Sequence, residues 1–255
     1  MRHIRVIGVG AGDPGLLTVE AVEALRSVEA FLVLDKGETT AELTATRQAI
    51  LERFLGADGY RVVTIADPPR DRTADDYAGA VEAWRDARSM AVEHALRTEI
   101  GEKGTAGLLV WGDPALYDGT ITMLDTIVAR GQVPLKYDVL PGISSVQLLA
   151  ARHRITLTRT AGAVRVTTGR RVAAGKHDDA EDADLVVMLD AHLACERFRG
   201  QGAELYWGAY LGTPDEVLIA GPLDEVMDHV TAKRARLRAE KGWIMDTYLV
   251  RRPTG

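Results

Sequence analysis

"VIGVGAGDPGLLTVEAVEAL", residues 6–25, decides how the first half of the chain is read. An apolar strand runs into Gly10-x-Gly12-x-x-Gly15, and Asp35 follows twenty residues after Gly15. That spacing is the fingerprint of a dinucleotide-binding βαβ unit, in which a tight strand-to-helix turn aims helix N-terminal amides at a pyrophosphate. Two features argue against such a turn here. Pro14 lies inside the glycine frame and removes one amide donor. The helical pattern also starts late, with Thr18 as the candidate N-cap, so the segment between reads as a loop reaching over something. No binding of NAD or NADP is expected.

Outward from this string, short apolar strands alternate with helix-period segments. His3–Val9, Ala30–Asp35, Arg61–Ile65, Gly107–Trp111 and Lys136–Leu140 read as strands. Val19, Val22, Leu25 and Val28 recur at helical spacing. The longest helix candidate starts at Thr73, where Thr73 and Asp76 form a capping-box-like pair ahead of Tyr77, Val81, Trp84, Ala91 and Ala95. This alternation predicts an open, mostly parallel sheet with helices on both faces, whose ligand lies outside the carboxyl ends of the strands. The composition shifts near Ala151: Arg152 to Lys176 holds seven Arg or Lys residues and no acid. Further strands at Val164–Thr168, Leu185–Leu189, Leu205–Tyr210, Val217–Ala220 and Ile244–Arg251 point to a second α/β domain. The junction is expected near 152–162, dividing the chain into residues 1–155 and 156–255.

Composition narrows the class. The 255 residues are 46% apolar and 27% charged, as in an ordinary soluble protein large enough for a substantial core. No apolar stretch approaches the ~20 residues needed to cross a bilayer, and no charged leader precedes an apolar run, so a cytoplasmic protein without membrane contact is expected. The single cysteine, Cys195, rules out an intrachain disulfide and fits a reducing compartment. A net charge of −6 argues against coating nucleic acid while leaving room for a local basic patch. The basic run TAKRARLRAEK, residues 231–241, reads as the solvated face of a helix. The six histidines show no metal-ligand spacing. His192 and Cys195 lie three apart, but two ligands do not make a site, and no metal is expected.

Two more strings resemble the first in chemistry. "LLVWGDPALYDGT" (108–120) repeats Gly-Asp-Pro at a strand end, and "VLPGISSVQLLAA" (139–151) places Pro-Gly before a helix that Ser144 or Ser145 could cap. Each alone is an ordinary turn. Together, three strand-end loops of this kind would converge on one crevice. In this order the strings resemble the tetrapyrrole methylase family, whose members use S-adenosylmethionine. "VVMLD" (186–190) and "GTPDEVLIAGPL" (212–223) look like that family's C-terminal elements, so the resemblance spans nearly the whole chain. It implies two α/β domains of the tetrapyrrole methylase type, with the cofactor in the cleft between them, S-adenosylhomocysteine as product, and a homodimer. Carbonyls at Trp111, Gly112 and Asp113 and amides around Ser144 and Ser145 are natural partners for the cofactor's polar ends. The resemblance adds Pro14 and Ile143, and sets Leu116, Tyr117, Met188, Leu189 and Trp207 against its apolar surface. Met188 and Trp207 read equally well as core residues.

Methyl transfer from a sulfonium is a direct displacement, so the protein aligns the reactants and excludes water without needing a triad or a metal. On the substrate side, "LDKGETTAEL" (34–43) puts Asp35 and Lys36 at a strand's carboxyl end. "DPPRDRTADDY" (67–77) puts Arg70, Asp71 and Arg72 ahead of the long helix. Charged loop residues are usually only solvated, yet a tetrapyrrole with many carboxylates calls for Arg, whose fork matches a carboxylate. Within the family, "LDKGE", "PPRDR" with the helix bearing Trp84, and "MLD" (188–190) resemble the deacetylating members of aerobic cobalamin synthesis. That resemblance implies methylation of precorrin-5 at the ring-A carbon bearing an acetyl group, with release of acetate. Asp35 could act as base for the attacking water and Lys36 could polarise the ketone or orient a carboxylate, with Asp71 a further candidate acid–base group. Action on another precorrin, on ribosomal RNA cytidine or on a diphthamide side chain stays open, with Arg152–Lys176 the feature an RNA reading would use. Three Phe offer little base stacking for it. A non-catalytic binding module on the same fold also stays open, against which stands the retention of all three loops.

Overall fold

The computed structural model describes residues 1–35, 41–57, 59–71, 73–176 and 183–253, with the backbone alone for 41–44. Five strands of the first unit alternate with four helices: β1 (Arg2–Gly8), α1 (Val19–Arg26), β2 (Ala30–Asp35), α2 (Ala41–Leu55), β3 (Arg61–Ala66), α3 (Tyr77–Glu99), β4 (Thr105–Val110), α4 (Thr120–Arg130) and β5 (Leu135–Leu140). They form one parallel sheet in the order β3-β2-β4-β1-β5. Parallel strands joined by crossover helices are covered on both faces. Successive residues accordingly enter different apolar clusters. Val6 and Leu108 pack with Val92 and Leu96 of α3 and Leu124 and Ile127 of α4. Ile7 and Leu109 pack with Leu25 of α1 and Ile50 and Leu51 of α2. Adjacent strands β1 and β4 thus send their helices to opposite faces and opposite edges of the sheet, which makes the carboxyl ends of this pair the topological switch point.

Each expected strand of this unit is present, with ends shifted by a residue or two. The long helix starts later than expected. Asp76 is its N-cap, accepting from the Gly79 amide, while Thr73 turns back and donates its amide and hydroxyl to Asp71. With Asp71 two residues upstream, Thr73 is captured before it can cap.

The chain divides into compact units at Met1–Ile143 and Ser144–Gly255, not at 155/156. The reason is α5 (Ser145–His153). Its Ser145 hydroxyl pairs with Thr247, its His153 imidazole meets the Trp207 carbonyl at 3.1 Å, and Leu149 lies against Gly208. The rest of this unit comprises β6 (Ala163–Thr168), α6 (Gly169–Ala173), β7 (Ala183–Met188), β8 (Glu204–Ala209), β9 (Val217–Pro222), α7 (Leu223–Lys241) and β10 (Asp246–Arg251). The sheet order is β6-β7-β10-β8-β9, with only β6–β7 parallel. Two of the seven cations of the basic stretch are used within the unit: Arg152 pairs with Glu216 at 3.0 Å and Arg159 chelates buried Asp184. Among the described residues no helix is long and apolar enough to cross a membrane, and no three His, Cys, Asp or Glu side chains are grouped to hold a metal ion.

The run 231–241 is not simply a solvated face. Arg234 is 6% exposed, and its Nε donates to Asp246 Oδ2 at 2.8 Å, beside the Trp207 indole N–H at 3.0 Å. Burial pushes the Asp246 carboxyl up, and Arg234 and Trp207 act against that shift. Replacing Arg234 with Met would strand a buried carboxylate. Urea denaturation of Arg234→Met is expected to show a loss of about 3–5 kcal/mol; a loss below about 1 kcal/mol would contradict this role.

Candidate functional site

The loops that follow β1, β4 and β5 are laced together by their backbones. The Gly112 amide donates to the Gly10 carbonyl at 2.8 Å, and the Gly10 amide to the Gly112 carbonyl at 3.2 Å. Both glycines are in the left-handed region, at φ 73° and 70°, where a side chain is strained. The third loop is pressed into this pair. A Cβ on Gly142 would lie 2.1 Å from the Gly112 carbonyl oxygen, and one on Gly8 would lie 2.5 Å from the Gly142 amide nitrogen. Asp113 completes the clasp: Oδ1 accepts from the Ala115 amide at 2.8 Å and Oδ2 from the Gly142 amide at 3.0 Å. Gly-Asp-Pro and Pro-Gly therefore recur because three chains meet here with no room for side chains.

The same accounting answers the opening string. Residues 9–18 separate β1 from α1, and Pro14–Leu16 forms a short 3-10 turn. The Gly15 amide is taken by Asp13 Oδ1 at 2.7 Å, the Leu16 amide by the Asp13 carbonyl at 2.9 Å, and the Leu17 amide by the Pro14 carbonyl at 3.3 Å. Thr18 caps α1 through the Ala21 amide, as expected. With these donors spent and Pro14 having none, residues 14–17 offer no free amide to a pyrophosphate.

Around the clasp, Pro14, Trp111, Leu116 and Ile143 are half-buried, and Tyr117 is 49% exposed at φ 55°. In the second unit, Ser144 caps α5 in a capping box with Gln147, so its hydroxyl is engaged. Ser145 is engaged with Thr247. Met188 ends β7 half-buried, and Leu189 is 66% exposed at φ 51°. Exposed, bulky residues in the left-handed region cost roughly 1–3 kcal/mol each and concentrate at ligand sites; Tyr117 and Leu189 fit that description. Trp207 does not line a surface. Its ring is fully buried in the core of the second unit with its N–H on Asp246, so the core reading holds for it.

At the carboxyl ends of β2 and β3, Asp35 is exposed and its carbonyl accepts from the Asp67 amide. Lys36 and Arg72 lie outside the described residues. Arg70 bonds the Tyr77 hydroxyl and lies 5.3 Å from the Trp84 ring centroid. The Trp84 indole N–H donates to the Pro68 carbonyl at 3.0 Å, fixing this loop to α3. Arg88, one turn on, also sits over Trp84 and pairs with Asp67 at 3.1 Å. Asp71 is held below its usual pKa by the Thr73 hydrogen bonds, which makes it a poorer proton acceptor. Cys195 is buried and pushed up to about 12, mainly by burial, which excludes it as a nucleophile. Gly8, Gly142, Asp67 and Arg88 escaped the sequence reading. Gly8, Gly142 and Asp67 stood inside the quoted strings, and Arg88 was legible as a cation four residues after Trp84 on one helix face.

The clasp makes a direct demand. Gly142→Ala forces a methyl into the Gly112 carbonyl and is expected to cost about 1–3 kcal/mol. Gly101→Ala, where a Cβ meets nothing within 4 Å, is the control and should leave the melting temperature within a degree or two of the parent, on the order of a surface substitution. Equal melting temperatures for the two variants would contradict the clasp.

Comparison with known proteins follows the same lines. The chain is 42% identical over 252 residues, 99% of its length, to the deacetylating precorrin-6A synthase of a Sinorhizobium species, of which it covers 96%. It superposes on the crystal structure of a cobalamin synthesis related protein (CobF) from Corynebacterium diphtheriae with a TM-score of 0.83, at 34% identity and over 99% of both chains. The fold is shared, at a TM-score of 0.55 and 18% identity, with the uroporphyrin-III C-methyl transferase of Thermus thermophilus complexed with S-adenyl homocysteine, over 97% of this chain and 91% of that one. A sequence profile of one family matches residues 3–227, taking in all three clasped loops and most of the second unit, and the chain belongs to that family, the tetrapyrrole (corrin/porphyrin) methylases.

Proposed function

We propose that this protein is an S-adenosylmethionine-dependent C-methyltransferase that converts precorrin-5 to precorrin-6A and releases acetate, acting in the cytoplasm as a homodimer. The observation that carries this is the near-full-length match to the Sinorhizobium precorrin-6A synthase. The clasped loops support it, because they lie at the switch point of a parallel sheet, where ligands of such sheets bind. When bound, S-adenosylmethionine supplies an electrophilic methyl on a positive sulfur. Trp111 and Asp113 would hold its polar groups through their backbone, with the Gly112 carbonyl offering its second lone pair beside the Gly10 bond, and Pro14, Leu116, Tyr117 and Ile143 its apolar surface. Ser144, Ser145, Met188 and Leu189 join this set on the resemblance alone.

Asp35, exposed at the end of β2, is our candidate base. It would take a proton from water as that water adds to the acetyl carbonyl. Collapse of the hydrate breaks the carbon–carbon bond, acetate leaves, and the electron pair stays on the ring carbon that then attacks the methyl. Lys36 would stabilise the developing oxyanion. Asp71 is the weaker candidate, since its oxygens are occupied by Thr73. Arg70 and Arg72 would receive substrate carboxylates.

Incubation with precorrin-5 and S-adenosylmethionine, followed by mass analysis, is expected to show gain of one methyl and loss of one acetyl. Methyl gain without acetyl loss would contradict the assignment. Asp35→Asn should keep S-adenosylhomocysteine affinity while slowing acetate release by ~10²–10⁴-fold, with methylation falling in parallel. Acetate release near the parent rate would remove Asp35 as the base.

A further inference from the structure

One cation of the first unit is held at an energetic disadvantage. Arg47 is half-buried on α2. Its Nε is shielded from solvent and has no hydrogen-bond partner among the described residues. The Nε atoms of Arg88 and Arg251 are also without a hydrogen bond, but those side chains have Asp67 and Asp184 in ion-pair contact. Among the described residues no carboxylate stands in that relation to Arg47. Asp118, in the loop after β4, favours its charge from a distance, whereas burial and the charge of Arg88 oppose it, burial most. A guanidinium partly out of water with nothing to receive it costs stability, so a fold selected only for stability would place an apolar residue here.

The position explains the cost. α2 follows β2 directly, so its first half, which includes Arg47, lies at the carboxyl edge of the sheet. The helix packs against α1 and the Pro14–Leu16 turn. Arg47 therefore sits within the electrostatic reach of Asp118 and Arg88, and Arg88 shares the Trp84 ring with Arg70. Arg88 already has Asp67 and Arg70 already has Tyr77. Arg70, whose partner is a neutral hydroxyl, keeps its charge for a substrate carboxylate as proposed above, whereas Arg47 has neither an ion-pair partner nor a hydrogen bond at its shielded Nε among the described residues.

We infer that Arg47 is the anchor for a carboxylate side chain of the tetrapyrrole substrate, an assignment that rests on the function proposed above. Its planar fork matches a carboxylate, and the ligand would supply the partner the fold withholds. The same chemistry exists in the methionine carboxylate of the cofactor, and the experiment separates the two.

Arg47→Met keeps the length and removes the charge. Its melting temperature is expected to equal or exceed the parent's, because an uncompensated cation has been removed. S-adenosylhomocysteine affinity by calorimetry should be unchanged. The KM for precorrin-5 should rise at least tenfold with kcat largely kept, roughly the loss of one charge-assisted hydrogen bond, and Arg47→Lys should recover part of it. A fall of several degrees in melting temperature would make Arg47 a structural partner of Asp118 and overturn the assignment. Weaker S-adenosylhomocysteine binding with an unchanged KM for precorrin-5 would hand the carboxylate to the cofactor and overturn it as well. If the parent protein turns over precorrin-5 and Arg47→Met shows the same KM, Arg47 alone fails. If the parent leaves precorrin-5 unaltered, the proposed function and this anchor fail together.

Discussion

The first unit depends on one close approach: the paired hydrogen bonds between Gly10 and Gly112, with Gly142 pressed against them. At the end of a parallel sheet the loops normally diverge, because each chain turns toward its own helix. Here β1 and β4 turn to opposite faces, and the two backbones pair again two residues beyond their strands in an isolated antiparallel bridge. The third loop is then locked by the Asp113 carboxylate instead of by a strand. The consequence is a tightly fixed backbone junction at the switch point, with half-buried Pro14, Trp111, Leu116 and Ile143 around it. Rigidity at such a place lowers the cost of aligning a nucleophile with a leaving group, which is most of what a direct methyl transfer asks of a protein.

The second unit is stabilised differently. Its mixed sheet encloses charges: Asp246 with Arg234 and Trp207, Asp190 with the Tyr248 hydroxyl and two backbone amides, and Asp184 with Arg159 and Arg251. Each buried carboxylate has its donors, which is the condition under which such groups are tolerated. Gly169 is part of this arrangement, since a Cβ there would lie 2.3 Å from the Asp190 carboxyl. The apolar sulfur pair of Cys195 and Met227 fills the remaining space as packing.

How much of this the sequence discloses follows from the range of the interaction concerned. All ten strands were legible, because alternating or continuous apolar runs between Gly and Pro record local burial. Thr18 was legible as a cap, and Ser144 as one of two candidates beside Ser145, for the same reason: a cap binds amides two or three residues away. The parity of β10, antiparallel between β7 and β8, was not, since its strand partners lie 37 to 65 residues away and leave no periodic trace. The unit boundary was misplaced because composition changes at Arg152, whereas the packing of Leu149 and Ser145 already belongs to the second sheet. Arg234 looked solvated because its partner, Asp246, is on another element, and Trp207 stayed open between a ligand-facing and a core aromatic because burial of an indole cannot be read from its neighbours. For the site, the three glycine loops were visible as strings, but the reason for Gly8 and Gly142 lies in steric contact among strands far apart in sequence. Arg47 left no signal, since an unpaired cation is defined by what is missing around it in space.

The most direct test of the central claim is a crystal structure of the protein with S-adenosylhomocysteine bound. Ligand density is expected against the backbone of Trp111, Gly112 and Asp113 and beside Tyr117, with the Gly10–Gly112 hydrogen bonds intact. Density at a different part of the sheet, or a ligand that reaches these residues only after the Gly10–Gly112 pair has opened, would contradict it.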